Sequence, residues 1–174
     1  MNVVLIKPAR ALPIPLAIPS VLSHAFPVLS CSTATDAVTF GNTACAIAAQ
    51  SAAFGWTTVA SGTADTAVGI GSCATGGSAS AFGRAVQATG SNSTAVGGYT
   101  TVASGDYSGA FAGNRGTASG DFSATIGGNQ GTAAGDLSAT IGGHVNTATG
   151  DRSVIIGGQL SNTTAAGTKG AVIG

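Results

Sequence analysis

The chain contains no glutamate and little charge of either sign. Only 7% of its 174 residues are charged, and six aspartates balance six lysines and arginines to give a net charge of zero. The basic residues are scattered along the sequence, so we expect no basic surface that would neutralise a run of phosphates. Nucleic acid is therefore not an expected partner.

The residue types that catalysis and metal binding need are also scarce. His24 and His144 are the only histidines, and the serines follow a structural period without a paired base. The glycine-rich segments do not precede helices, which removes the usual reason for them to bind phosphate. There is no Cys-x-x-Cys motif and no histidine in register with the cysteines. We predict no enzymatic activity, no catalytic residue, no cofactor and no metal site.

Long uninterrupted apolar runs are missing as well. The most apolar stretch, residues 11–19, is broken by Pro13, Pro15 and Pro19. A membrane-spanning helix needs about 20 consecutive apolar residues, and alternating prolines favour an extended chain. We therefore predict no membrane span, and we expect residues 1–25 to form an extended arm or a cap over the first coil of the domain that follows.

What the chain does have is a short repeat and 28 glycines. A large apolar residue recurs every fourteen positions up to Val96, which we call the short period, and every fifteen positions thereafter, the long period. This structural core ladder consists of Phe26, Phe40, Phe54, Val68, Phe82, Val96, Phe111, Ile126, Ile141 and Ile156. A fixed repeat of this kind indicates a solenoid, in which each unit is stabilised by stacking on its neighbours.

One well-formed unit, residues 121–135, shows how a coil is built. Residues 123–126 alternate in the manner of a strand, Gly127 and Gly128 end it, and a second extended segment at 132–134 is closed by Gly135. Such a unit has no room for a helix, and stacked copies form parallel in-register sheets. The sequence thus predicts an all-β fold, a parallel β-roll or β-solenoid of about 10–11 coils over residues 26–174.

Each coil supplies one large apolar side chain and otherwise mainly alanine, so a single roll would enclose little core. Three rolls placed side by side would bury the core ladder between them. We therefore expect a homotrimer.

Two consecutive segments carry a family resemblance. Residues 78–91 read Ser-Ala-Ser-Ala-Phe-Gly-Arg-Ala-Val-Gln-Ala-Thr-Gly-Ser, and residues 92–97 begin the next unit with Asn-Ser-Thr-Ala-Val-Gly. This pattern resembles the head repeat of trimeric autotransporter adhesins, over roughly residues 36–174. The resemblance implies a left-handed, trimeric β-roll displayed outside a cell. The later units, with a Gly-Gly pair and a Gly-Asp junction, are also similar to repeats of phage and viral fibre proteins.

The cysteines follow the same register. Cys31, Cys45 and Cys73 each lie five residues after a core-ladder position, with Val59 in the intervening repeat, so they occupy one stacked column. Cys31 and Cys45 are one rung apart, close enough for a disulfide, whereas Cys73 is two rungs from Cys45 and too distant. Because a valine shares the column, buried free thiols are the favoured interpretation.

A turn ladder of aspartates recurs with the long period, each aspartate following a glycine. It consists of Asp106, Asp121, Asp136 and Asp151. A calcium ladder needs several oxygen ligands per turn, whereas each turn here offers a single carboxylate. We expect each of these aspartates to accept a local backbone hydrogen bond within its own turn.

Two further columns are candidates for contacts with other molecules. The contact ladder, three residues after successive core-ladder positions, consists of Tyr99, Asn114, Asn129, His144 and Gln159. It is either a row of solvated turn residues or a surface for a ligand. A second column, which follows the turn ladder and consists of Tyr107, Phe122, Leu137 and Arg152, is expected at a subunit interface.

These features predict an extracellular protein at a cell or virion surface, used for structural display and attachment to host matrix or a cell-surface ligand. One alternative is a filament that grows head to tail, because the sequence stops within a coil at residues 170–174. Others are a virion fibre or a piece of a longer adhesin. The column of Thr117, Thr132 and Thr147 raises a remote alternative, ice binding, although only residues 147–149 supply paired threonines.

Overall fold

Two parallel sheets of ten strands each make up the fold. The computed structural model describes residues 31, 32, 34–163 and 171–174, and within them the chain contains strands and turns but no helix. Successive strands alternate between the two sheets, so the chain winds through about nine coils. The prediction of an all-β parallel β-solenoid is confirmed. The arm at residues 1–25, and the first ladder position, Phe26, lie outside the described residues.

The first sheet consists of two-residue strands: β1 (Cys31–Ser32), β3 (Cys45–Ala46), β5 (Val59–Ala60), β7 (Cys73–Ala74), β9 (Gln87–Ala88), β11 (Val102–Ala103), β13 (Thr117–Ala118), β15 (Thr132–Ala133), β17 (Thr147–Ala148) and β19 (Asn162–Thr163). The second sheet has longer strands: β2 (Val38–Phe40), β4 (Ala52–Trp56), β6 (Thr66–Ile70), β8 (Ser80–Arg84), β10 (Thr94–Tyr99), β12 (Gly109–Phe111), β14 (Ala124–Ile126), β16 (Ala139–Ile141), β18 (Val154–Ile156) and β20 (Ala171–Ile173).

The register of both sheets follows the sequence repeat. Phe40 pairs with Phe54, one short period later, and Ile126 pairs with Ile141, one long period later. The change of period has a local cause. At the end of β10 the register shifts between Val96 and Tyr99, where Gly97 and Gly98 both adopt positive φ angles of 70° and 74°. The additional residue of the long period is therefore inserted as a bulge just after the ladder residue, within a Gly-Gly pair in most coils and within Ala112–Gly113 in the coil of Phe111.

The interior of the coils is lined by alanine, not by the core ladder. In the second sheet the buried residue is the one just before each ladder residue, such as Ala53, Ala81 and Ala95, all 0% exposed. The last residue of most first-sheet strands, such as Ala74, fills the other side. Because side chains alternate across a strand, the large ladder residues point away from this interior. The core ladder is thus not the core of the single chain, whose interior holds mostly alanine, with Ile155 as its largest fully buried side chain.

Two coils in the middle depart from the alanine rule in a compensating way. Ala110 pairs with Thr125, which pairs with Thr140, and both threonines are only 2% exposed. The residue just before each first-sheet strand lies at a corner of the coil. Gly116 and Gly131 occupy this buried position before β13 and β15, whereas Thr101 occupies it before β11. A Cβ added to Gly116 would lie 3.1 Å from Thr125 Oγ1, and one at Gly131 would lie 3.0 Å from Thr140 Oγ1. In these two coils the corner side chain is absent where the interior side chain is larger, whereas in the next coil Asn146 and Ile155 are both buried.

This compensation predicts an energetic coupling between Gly116 and Thr125. Gly116 does not have a positive φ, so Gly116→Thr changes volume without left-handed backbone strain, and we expect overpacking to cost about 1–3 kcal/mol. In a Thr125→Ala background the added side chain regains space, and we expect a coupling of about 1–2 kcal/mol. Urea unfolding of the parent, both single variants and the double variant measures it. Additive free energies would show that the two positions do not share one space.

Candidate interaction surface

The core ladder forms a continuous apolar column on the outer face of the second sheet. Along this column Phe40 is 64% exposed, and Phe82 and Ile141 are each 37% exposed. The strand register places each residue directly beside the next, as for Val96, Phe111 and Ile126. The result is an uninterrupted row of large apolar side chains along the described length of the rod.

The contact ladder predicted from the sequence is a physical row. Its members are joined in succession by parallel bridges, from Tyr99 to Asn114 and onward to Gln159. Tyr99, Asn114, His144 and Gln159 are exposed, and Asn129 is half-buried. The row therefore lies along one long edge of the rod, at the turn that follows each second-sheet strand.

The sequence reasoning missed the first part of this row. Tyr99 pairs with Arg84, Arg84 with Ile70, and Ile70 with Trp56, so the row continues through three earlier coils. Trp56 is 59% exposed and Ile70 is 53% exposed, while the guanidinium carbon of Arg84 lies 5.4 Å from the centroid of the Tyr99 ring. The sequence does contain the pattern that locates these residues. In coils of the short period the equivalent position comes two residues after the ladder residue, rather than three, because the bulge residue is missing.

The opposite long edge of the rod carries the turn ladder. The Oδ1 atom of Asp121 accepts a hydrogen bond from the backbone N–H of Asp106 at 2.9 Å, and Asp136 accepts one from Asp121 at 3.0 Å. Asp106 and Asp151 make the same kind of bond to the coil before them. The predicted bond within each aspartate's own turn is therefore wrong: the carboxylate is placed to join neighbouring coils along the rod.

Apolar side chains follow the aspartates on that edge. Tyr107 and Phe122 stack with their ring centroids 5.0 Å apart and their planes within 2°. Tyr107, Phe122 and Leu137 are between 51% and 58% exposed, and all have φ angles of 55–58°. Left-handed backbone is costly for such residues, so small or polar residues would be expected at exposed turns of this kind. The second edge thus exposes large apolar side chains at turn positions where solvated turns usually carry small or polar residues.

The cysteines lie in one column on the outer face of the first sheet, as the register predicted. Cys31 and Cys45 form a disulfide, with their Cα atoms 4.6 Å apart. Cys73 is free and half-buried, and burial together with the nearby Asp65 carboxylate raises the pKa of its thiol. The favoured interpretation of three buried free thiols is therefore wrong, since directly paired parallel strands bring Cys31 and Cys45 together.

Other kinds of site have little support in the described residues. Over 31, 32, 34–163 and 171–174, no three residues among His, Cys, Asp and Glu come close enough together to hold a metal ion. Within the same part of the chain, no helix is long and apolar enough to cross a membrane. Neither the comparison with protein-family models nor that with curated protein sequences gives a match.

Proposed function

We propose that this chain is a non-enzymatic structural rod that assembles with copies of itself, as a homotrimer, for display and attachment at a cell or virion surface. The observation that carries the proposal is the exposed core ladder on the outer face of the second sheet. Its large side chains point away from the interior of the coil, and most of them are more than one-third exposed in the single chain.

The dimensions of this column favour a macromolecular partner rather than a small ligand. Ten strands at a spacing of about 4.8 Å make a row on the order of 45 Å long. Soluble monomers rarely expose a continuous apolar patch of this extent. A partner with the same period matches it rung for rung, and a second copy of the chain has that period.

Attachment is the second part of the proposal. Most interior positions hold alanine, whereas the row along the first edge holds Trp, Ile, Arg, Tyr, Asn, His and Gln. Positions fixed by packing repeat one residue type, while positions free of packing can vary. This edge is therefore the part of the rod on which recognition of another molecule is built, either a second copy of the chain or a host-matrix or cell-surface ligand.

The assembly is tested by sedimentation velocity and light scattering over a range of concentrations. We expect a trimer for the parent chain, and a shift to monomer for the triple variant Phe54→Thr, Phe82→Thr and Ile126→Thr. Threonine keeps the β propensity at these positions and removes apolar area. The matched control is Val59→Thr with Val102→Thr, on the outer face of the first sheet, and it should remain a trimer.

Circular dichroism of all variants checks that the sheets are retained. A parent chain that stays monomeric at high concentration would contradict the proposal. Negative-stain images separate the remaining alternatives: long fibres of constant width would favour a filament subunit over discrete trimers.

A further inference from the structure

The two long edges of the rod differ in charge. The first edge, at the turn after each second-sheet strand, carries Arg84, Arg115 and His144 and, within the described residues, no acidic residue. The second edge, at the turn before each second-sheet strand, carries all of the turn ladder and also Asp36, with Arg152 as its one basic residue among those described. Among the described residues, most of the charges are thus segregated across the width of the rod.

The hydrogen-bonding groups of the two edges are also complementary. Each turn-ladder aspartate uses Oδ1 for the coil before it, and among the described residues no hydrogen bond is made to its Oδ2 atom. The contact ladder consists of a phenol, amides and an imidazole, all of which can donate. One edge offers a row of donors, and the other offers a row of free carboxylate oxygens.

The heights of these rows match. Along the chain, Arg115 comes about half a coil after Asp106 and half a coil before Asp121. His144 stands in the same relation to Asp136 and Asp151. With coils stacked about 4.8 Å apart, a parallel neighbour in register would place Arg115 within about half that distance in height of two carboxylates. A parallel neighbour related by rotation about an axis along the rod has this register without any shift along the rod.

We infer that copies of this chain pack edge to edge, parallel and in register, with the contact ladder and Arg115 of one copy against the turn ladder of the next. This inference rests on the proposed self-assembly and names the surfaces that meet. The contact is heterologous, so repeating it closes a ring when the rotation allows, as in a trimer. In such a ring the outer faces of the second sheets, with their core ladders, turn toward the common axis.

The edge contact also covers exposed apolar side chains and relieves a repulsion. Tyr107, Phe122 and Leu137 on one edge face the level of Tyr99, Asn114 and Asn129 on the other. Within a single chain, the stacked aspartates place like charges one rung apart, which is unfavourable. A guanidinium from a neighbouring copy between Asp106 and Asp121 offsets that cost.

Charge reversal and its repair test the inference. We expect Arg115→Glu and Asp121→Arg each to weaken self-association by about tenfold or more, because like charges then meet across the contact. The chain carrying both changes should associate more strongly than either single variant, because one pair is restored with its polarity exchanged, while the introduced glutamate still faces Asp106. Gln87→Glu is the control: it adds an acidic residue on the exposed outer face of the first sheet, away from both edges.

Sedimentation velocity at low and high salt gives the readout, and added salt should weaken the parent association and erase part of the difference between variants. A parent that assembles, with single variants that assemble equally well or a double variant that associates no more strongly than they do, would overturn the edge pairing while leaving self-assembly in place. A monomeric parent would overturn both.

Discussion

Replacing Gly69 with alanine is expected to be the most damaging single change in the first half of the rod. Gly41, Gly55 and Gly69 stack in register just after the ladder residues, with φ angles of 130–133°. A Cβ at Gly69 would overlap the backbone carbonyl oxygen of Gly83 in the next coil. An L-residue is strained at this φ, and a backbone atom cannot move aside as a flexible side chain can. We expect a loss of at least about 3 kcal/mol in unfolding free energy.

Gly71→Ala is the matched control for this prediction. Gly71 also has a positive φ, of 63°, but the nearest atom to its added Cβ is Thr57 Oγ1 at 3.8 Å. Thr57 and Ala85 occupy the same turn position one coil away on either side, with φ angles of 54°. We expect a change within about 1 kcal/mol. Urea unfolding compares the two variants, and equal stabilities would show that the glycine stack is not needed for close approach of the coils.

Asp65→Ala should give the second large effect. Asp65 is 0% exposed, and its carboxylate accepts hydrogen bonds from the N–H of Gly62 at 2.7 Å and of Ala79 at 2.8 Å. Alanine would leave the buried N–H of Ala79 and the partly buried N–H of Gly62 without this partner. We expect a loss of about 2–4 kcal/mol in unfolding free energy.

Ser93→Ala controls for this second prediction. Ser93 occupies the same buried column and is also 0% exposed, but its hydroxyl has no hydrogen-bond partner. Ser93 corresponds to Ala79 one coil later. Its backbone N–H donates to the carbonyl of Gly90 within its own turn, at 3.2 Å, and so needs no aspartate carboxylate as acceptor. We expect Ser93→Ala to be neutral or slightly stabilising. Chemical denaturation of both variants decides the matter, and a neutral Asp65→Ala would contradict the assigned role.

The sequence predicted the fold because period alone determines the register of a solenoid. The short period predicts the pairing of Phe40 with Phe54 and the long period that of Ile126 with Ile141, and both pairs are present. Periodicity does not say which of the two faces of a strand points inward. The hydrophobic rule favours Phe54 over Ala53 for the interior, yet Ala53 is fully buried and Phe54 is 37% exposed on the outer face.

The candidate surface was predictable in part, for related reasons. The contact ladder followed from counting three residues after each ladder position, which is correct only where the bulge residue is present, so Trp56, Ile70 and Arg84 were missed. The bond from each aspartate to the coil before it was missed because Gly-Asp reads as a local turn. Asp65 was missed because it is a single aspartate in a column of serine and alanine, so no repeated aspartate marks the position.

The alanine interior of the rod has a consequence for how its stability varies with temperature. Unfolding exposes methyl groups, buried hydroxyls and a large amount of backbone, and polar surface lowers the heat-capacity change that apolar surface raises. The heat-capacity change per residue should therefore fall below the usual value of about 12–15 cal/mol/K. The stability curve of this rod is expected to be broad and flat, so that cooling weakens it less than it weakens a protein with a bulky core.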